Sequence, residues 1–128
     1  MKMQNEKLRN SLDIVDRTFA FALLIVKCCQ RMEDKPGIGR SLALQLLRAG
    51  TSIGANVEEA QAGQSKADFT SKVAIALKEA RETHYWLRLI ADSGIVDKLS
   101  LDPLIKEAGE LSRILGAIVS RAKKGRIL

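Results

Sequence analysis

A chain of 128 residues with 46% apolar side chains is long enough for one domain and apolar enough to bury a core, which excludes a disordered chain. Its net charge of +6 favours nucleic acid or another acidic partner over an acidic ligand. Its longest apolar stretch near the N-terminus, the eight residues Phe19 to Val26, is far shorter than the ~20 that span a bilayer and follows two aspartates, so we expect a cytoplasmic protein without a membrane partner.

The first predicted helix covers about residues 6–33. Its apolar positions recur every three or four residues, as is typical of a helix in a bundle: Leu8, Leu12, Val15, Phe19, Ala22, Val26 and Cys29. A second apolar stripe lies one position away and contains Ile14, Phe21, Ile25, Cys28 and Met32. A helix that is apolar on two sides needs more than one packing partner.

The second predicted helix, residues 38–62, follows a break at Pro36 and Gly37. Its predicted buried positions are Leu42, Leu46, Ala49, Ile53, Asn56 and Ala60. Asn56 is predicted to fix the helix register through a buried hydrogen bond. We expect the helix to end at Gly63 in a left-handed conformation.

Two glycines interrupt this helix at positions 50 and 54. Each costs about 1 kcal/mol relative to alanine in a helix interior, so a compensating contact is expected. Gly50 and Gly54 are four residues apart and share a face, where another backbone can approach closely. The pattern leaves open whether that backbone belongs to the same chain or to another subunit.

The third predicted helix, residues 65–92, begins with a capping-box pattern in which Asp68 follows Ser65. Ser93 and Gly94 are predicted to stop it. Its apolar positions continue at the helical spacing through Phe69, Val73, Ala76, Ala80, Thr83, Leu87 and Ile90. Because only a tight turn precedes it, helices 2 and 3 should be antiparallel neighbours.

The fourth predicted helix covers residues 102–124, with Asp102 as its N-cap and Pro103 at its first position. Its apolar stripe contains Leu104, Ala108, Leu111, Leu115, Ile118 and Ala122. Four helices with short connections predict an all-α, up-down-up-down antiparallel four-helix bundle that forms a single domain over residues 1–128.

Reactive residues do not form a recognisable catalytic or metal-binding pattern. His84 is the one histidine and is preceded three residues earlier by Arg81, so the Glu-x-x-His metal motif of helix bundles is missing. A single histidine also offers few ways to activate a nucleophile. Cys28 and Cys29 are predicted to be buried free thiols. We therefore expect a protein that is not an enzyme and takes no metal, cofactor or small-molecule substrate.

Basic residues cluster towards the C-terminus: Arg113, Arg121, Lys123, Lys124 and Arg126. Antiparallel helices 1 and 4 should bring Lys7 and Arg9 to the same end of the bundle. Such clusters bind phosphate groups with salt-dependent affinity. A solvated terminus whose charges complement the dipole of helix 4 would show the same pattern.

Several segments resemble a known bacterial family, namely Thr51 to Ala60, Ser65 to Phe69, Ala76 to Thr83 and Tyr85 to Leu89. They are similar to the four-helix-bundle family named for proteins encoded in intervening sequences of 23S ribosomal RNA genes. The resemblance spans nearly the whole chain.

The resemblance implies a ring-like homopentamer with a basic surface and no catalytic residues. Some relatives are accessory variability proteins of diversity-generating retroelements, which bind a reverse transcriptase and its RNA. Such an assembly would place at its subunit interfaces Phe21, Ile25, Gly50, Gly54 and Trp86. The expected function is that of an oligomeric accessory protein that binds RNA or DNA; the alternative is an oligomeric protein-interaction scaffold with no nucleic-acid role.

Overall fold

The structure, a computed structural model, describes residues 2–127 and, within them, the side chains of residues 14–125. It contains four helices: α1 (Lys2–Met32), α2 (Ile38–Gln61), α3 (Lys66–Asp92) and α4 (Lys98–Ile127). Consecutive helices pack against each other, and α1 pairs less extensively with α4. The predicted up-down-up-down four-helix bundle is confirmed.

Two glycines with positive φ form the turns before α2 and after α3, Gly37 at 63° and Gly94 at 78°. The stop predicted at Gly94 is therefore confirmed. The left-handed end predicted at Gly63 is wrong, because the last turn of α2 tightens instead. The N–H groups of Ala62 and Gly63 donate to carbonyls three residues earlier, both at 3.2 Å, which leaves no need for a left-handed residue.

The predicted cap of α3 is confirmed, whereas the predicted start of α4 is wrong. The Ser65 hydroxyl accepts from the N–H of Asp68 at 3.1 Å. Helix α4 begins at Lys98, so Pro103 lies inside it. The fully buried Leu101 lies within this added turn and anchors it to the core. The bond that Pro103 cannot donate would go to Leu99, a residue that is 77% exposed, where water can solvate the carbonyl.

The buried stripe of α1 is the second of the two predicted stripes. Ile14, Phe21, Ile25, Cys28 and Met32 are buried together with Thr18. From the first stripe, Val15 and Ala22 are half-buried, and Phe19 is 56% exposed. Of the first stripe, only Cys29 is buried among the described side chains, because the second stripe is the one that packs against α2.

Gly50 and Gly54 permit the close crossing of α1 and α2. A Cβ atom at Gly50 would lie 2.8 Å from Cγ2 of Ile25, and one at Gly54 would lie 3.3 Å from the carbonyl oxygen of Thr18. Phe21 and Ile25 are 1% and 0% exposed. The expectation that these two residues and both glycines lie at a subunit interface is wrong, because the contacts within the chain already bury them.

Ion pairs connect neighbouring helices, whereas the hydrogen bond of Asn56 stays within α2. Its Nδ2 donates to the carbonyl of Ser52 at 2.8 Å, on the same helix, so the prediction that Asn56 fixes the register is wrong. Between α2 and α3, Arg48 pairs with Glu79 and Glu82. These contacts join two neighbouring helices through an exposed arginine and a buried glutamate, Glu79.

Arg17 connects α1 to α4. Its Nε and Nη2 donate to both carboxylate oxygens of Glu107 at 2.7 and 2.8 Å, and Nη2 also donates to Glu110 at 2.7 Å. These hydrogen bonds to Glu107 and Glu110 raise the pKa of Arg17 above its ordinary value. Bidentate geometry of this kind fixes orientation as well as distance, so Arg17 sets the alignment of α1 on α4.

Candidate nucleic-acid interface

The contacts of two glycines on α4 show the register of α4 against α3. A Cβ atom at Gly109 would lie 3.8 Å from the ring of His84, and one at Gly116 would lie 4.0 Å from Cδ1 of Leu77. Both pairs are seven residues apart on their own helices. The two helices therefore run antiparallel, with His84 opposite Gly109 and Leu77 opposite Gly116.

This register brings basic residues of both helices to one outer face. Arg81 and Arg88 lie three residues before and four after His84, which places them on its side of α3. On α4, Lys106 and Arg113 lie three before and four after Gly109. Arg81 therefore lies near Arg113, and Arg88 lies near Lys106.

We call this face the basic surface. All of its side chains are exposed. Three come from α3 and five from α4: Lys78, Arg81, Arg88, Lys106, Arg113, Arg121, Lys123 and Lys124.

The charges of the basic surface are almost unneutralised. Among the described side chains, only Arg113 has a carboxylate within reach, at 3.5 Å from Glu110. That carboxylate is already held by Arg17, whose hydrogen bond keeps the pKa of Glu110 below its ordinary value, with Arg113 and Lys106 adding to the effect. The surface can therefore attract a polyanion.

His84 lies beside this surface in its neutral form. Burial, and secondly the positive charge of Arg88, hold the pKa of His84 below its ordinary value. A neutral imidazole leaves the arginines as the charged groups on the α3 side at neutral pH. Protonation of His84 would add a positive charge next to Arg88.

Acidification should destabilise the fold through His84. Because its pKa is lower in the folded than in the unfolded chain, the unfolded chain binds the proton first as the pH falls below about 6.5. We expect the melting temperature to fall through this range and the fall to be smaller in His84→Gln. Thermal denaturation followed by circular dichroism at a series of pH values measures the difference; parallel curves for the two proteins would contradict this role.

The structure separates the predicted nucleic-acid residues into two groups. Four are exposed on α4, namely Arg113, Arg121, Lys123 and Lys124. The side chains of Lys7, Arg9 and Arg126 lie outside the described residues. Four further contributors become apparent only from the register of the helices: Lys78, Arg81, Arg88 and Lys106. In the sequence, three of them could have been found from one signal: Arg81 and Arg88 are seven residues apart, and Lys106 lies seven residues before Arg113.

The remaining reactive groups are not arranged for metal chemistry in the part of the chain that the structure describes. No three His, Cys, Asp or Glu side chains of residues 14–125 lie close enough to hold a metal ion. The thiols of Cys28 and Cys29 are free and buried. Burial raises the pKa of Cys29 to about 12. Over the described helices, no stretch is both long and apolar enough to traverse a lipid bilayer.

Comparison with known proteins gives a family and a fold relative. The family model described as 23S rRNA-intervening sequence protein matches residues 10–117. A solved protein of unknown function from the S23 ribosomal protein family of Bacteroides thetaiotaomicron is 34% identical, with a TM-score of 0.80. The alignment covers 87% of this chain and 98% of that one. No curated protein matches the sequence significantly.

Proposed function

Because the chain belongs to the 23S rRNA-intervening sequence protein family, we propose that it is an accessory protein that binds RNA or DNA through the basic surface. In this proposal it catalyses no reaction of its own. The observation that carries the proposal is the convergence of eight exposed cations from α3 and α4, of which only one has a carboxylate within reach among the described side chains.

The dimensions of the basic surface suit a nucleic-acid backbone. From Lys106 to Lys124 the rise of 1.5 Å per residue gives a length of about 27 Å. A duplex strand advances 3.4 Å per nucleotide, so the surface can follow about eight phosphates. Lysine and arginine that contact phosphates position a protein without reading sequence. The proposed binding is therefore independent of sequence.

Assembly is part of the proposal. We propose that the chain acts as a homo-oligomer, with a pentamer as the expected number, and that it works beside a reverse transcriptase if it serves a retroelement. Several identical basic surfaces in one assembly would raise the avidity for a long polyanion.

A second candidate function is an oligomeric protein-interaction scaffold, which is favoured by Trp86. Its buried indole N–H has no acceptor among the described residues. Tyr85 packs against Trp86 edge-on at 5.2 Å and is 49% exposed, and Leu89 is 39% exposed. Exposed apolar side chains such as Tyr85 and Leu89 suit a protein contact. Of the residues predicted to lie at a subunit interface, Trp86 is the one that the packing within the chain leaves as a candidate.

Removal of residues 121–128 tests the proposed function. It deletes four basic residues, so the affinity for a fluorescently labelled RNA should fall, and the slope of log affinity against log salt should fall by about 3. Fluorescence anisotropy over a salt series measures both, and circular dichroism checks the fold. Unchanged affinity would contradict the proposal that the basic residues at the end of α4 contact the nucleic acid. A defined oligomer that ignores RNA at low salt would favour the scaffold.

A further inference from the structure

An open groove follows the crossing of α1 and α2 and extends to the first turns of α3. Its volume is about 890 Å³. Its apolar lining includes Phe19, Ala22, Gly54 and Ala55. Phe19 is 56% exposed there, and Leu23, one turn further along α1, is 48% exposed. The groove therefore leaves a continuous apolar strip of α1 without a partner in the single chain.

The wall of this groove is acidic, although the chain is basic. Glu58, Glu59 and Asp68 line it together with Lys72. Among the described side chains, only Glu59 has a cation within reach, at 3.5 Å from Lys72. The groove thus has a local negative charge on a chain whose net charge is +6.

The position of the two glutamates is electrostatically unfavourable for the isolated chain. Glu58 and Glu59 lie in the last turn of α2, which contains no basic residue. Helix C-termini carry partial negative charge and favour cations. A cation from a bound partner would offset the repulsion between these glutamates and the helix C-terminus. Residues that are unfavourable for local stability are expected at binding sites.

The carboxylates do not form an ion site. No three acidic, histidine or cysteine groups among the described residues lie close enough for a metal. A ligand that satisfies them must carry several separate cations along its length. The apolar strip of α1 beside these carboxylates requires an apolar face on the same ligand.

We propose that this groove binds a basic amphipathic helix of a protein partner. Apolar residues of that helix would cover Phe19 and Leu23, as in helix-in-groove recognition. Its lysines or arginines would face Glu58 and Asp68, which sets its orientation by charge complementarity. The groove is lined from α1, α2 and the first turns of α3 and shares no lining residue with the basic surface, so the partner and a nucleic acid would contact different residues.

A labelled model helix tests the proposal on the full chain. The probe is a fluorescein-labelled peptide of about 16 residues with leucine on one face and lysine on the other. The control peptide has the same composition in scrambled order. We expect the amphipathic peptide to bind at least about tenfold more tightly, because only it presents leucine and lysine on separate faces.

Three variants locate the binding site. Phe19→Ala should weaken peptide binding about tenfold through loss of an aromatic contact, and Glu58→Lys should weaken it about fivefold and flatten its salt dependence. Leu44→Ala is the matched control, because Leu44 is 62% exposed but does not line the groove. Affinity unchanged by Phe19→Ala and Glu58→Lys, or equal binding of the scrambled peptide, would overturn the proposal.

Sedimentation separates a partner helix from a second copy of this chain. If Phe19→Ala reduces the mass of the assembly and the intact assembly ignores the peptide, the groove is a contact between copies and the proposal is overturned. If mass is unchanged while peptide binding is lost, the proposal stands. The RNA affinity of Phe19→Ala should stay unchanged, and that of Glu58→Lys should change by no more than about threefold. A loss of peptide binding is therefore distinguishable from a loss of nucleic-acid binding at the basic surface.

Discussion

Replacing Arg81 and Arg113 by glutamate should lower the affinity for RNA by a factor of about 10 to 100 and reduce the salt slope by about 1.4, since each phosphate contact contributes about 0.7 for single strands. The two arginines lie next to each other on α3 and α4, so the change places two negative charges at the centre of the basic surface. Both are exposed, and stability should change little. Anisotropy of a labelled RNA over a salt series measures both effects.

A matched variant separates local from overall charge. Lys27→Glu with Arg40→Glu changes the net charge by the same amount, at exposed residues of α1 and α2 that lack ion pairs within the described range. Its RNA affinity should fall by no more than about threefold, because exposed charges beyond a Debye length are largely screened. Equal losses in the two variants would show that net charge, and not this surface, attracts RNA.

Gly50→Ala should destabilise the protein by about 1–3 kcal/mol, although alanine is the better helix former by about 1 kcal/mol. The added methyl would lie 2.8 Å from Cγ2 and 3.2 Å from Cβ of Ile25. These atoms are close to the backbone of a fully buried residue, so α1 itself must move. Urea denaturation measures the free energy of unfolding.

Gly116→Ala is the control for this substitution. A methyl at Gly116 would lie 4.0 Å from Cδ1 of Leu77, an ordinary contact, so this change should stabilise the protein by up to about 1 kcal/mol. In a double-mutant cycle, Ile25→Ala should reduce the cost of Gly50→Ala, because truncation makes room for the methyl. Equal stabilities of the two alanine variants would contradict a close crossing at Gly50.

The number, type and order of the helices were predictable because their signals are local. A spacing of three and four residues marks each helix, and the Ser65 cap and the Gly94 turn depend on neighbouring residues alone. Most of the buried residues of α3 were also predictable, since this helix has one apolar stripe. Phe69 is half-buried instead, and the buried Thr70, Glu79 and Ala91 were not predicted. Local rules suffice where a single face is apolar.

Prediction failed where two local patterns competed. Helix α1 offered two apolar stripes, and only its packing against the glycines of α2 decides which is buried. Asp102 and Pro103 have the pattern of a helix start, but burial of Leu101 extends α4 towards the N-terminus as far as Lys98. From the sequence, Gly50 and Gly54 were equally compatible with a close contact within the chain and with a contact to another subunit. Each outcome depends on a partner distant along the chain.

The candidate site was predictable only in part for the same reason. The basic residues near the end of α4 are neighbours in the sequence and form a visible cluster. Arg81 and Arg88 are separated by uncharged and acidic residues, and they join that cluster only through the register of α3 on α4. The register between two helices cannot be read from the spacing of residues within either helix.

The close crossing of α1 and α2 also protects two reactive groups. Cys28 and Cys29 are 1% and 9% exposed, and the Cys29 thiol donates to the carbonyl of Ala43 on α2 at 3.4 Å. Since thiolates rather than thiols react with oxidants and alkylating reagents, both sulfurs stay inert while the bundle is closed. Separation of α1 from α2 would break the Cys29 hydrogen bond and open that thiol to such reagents.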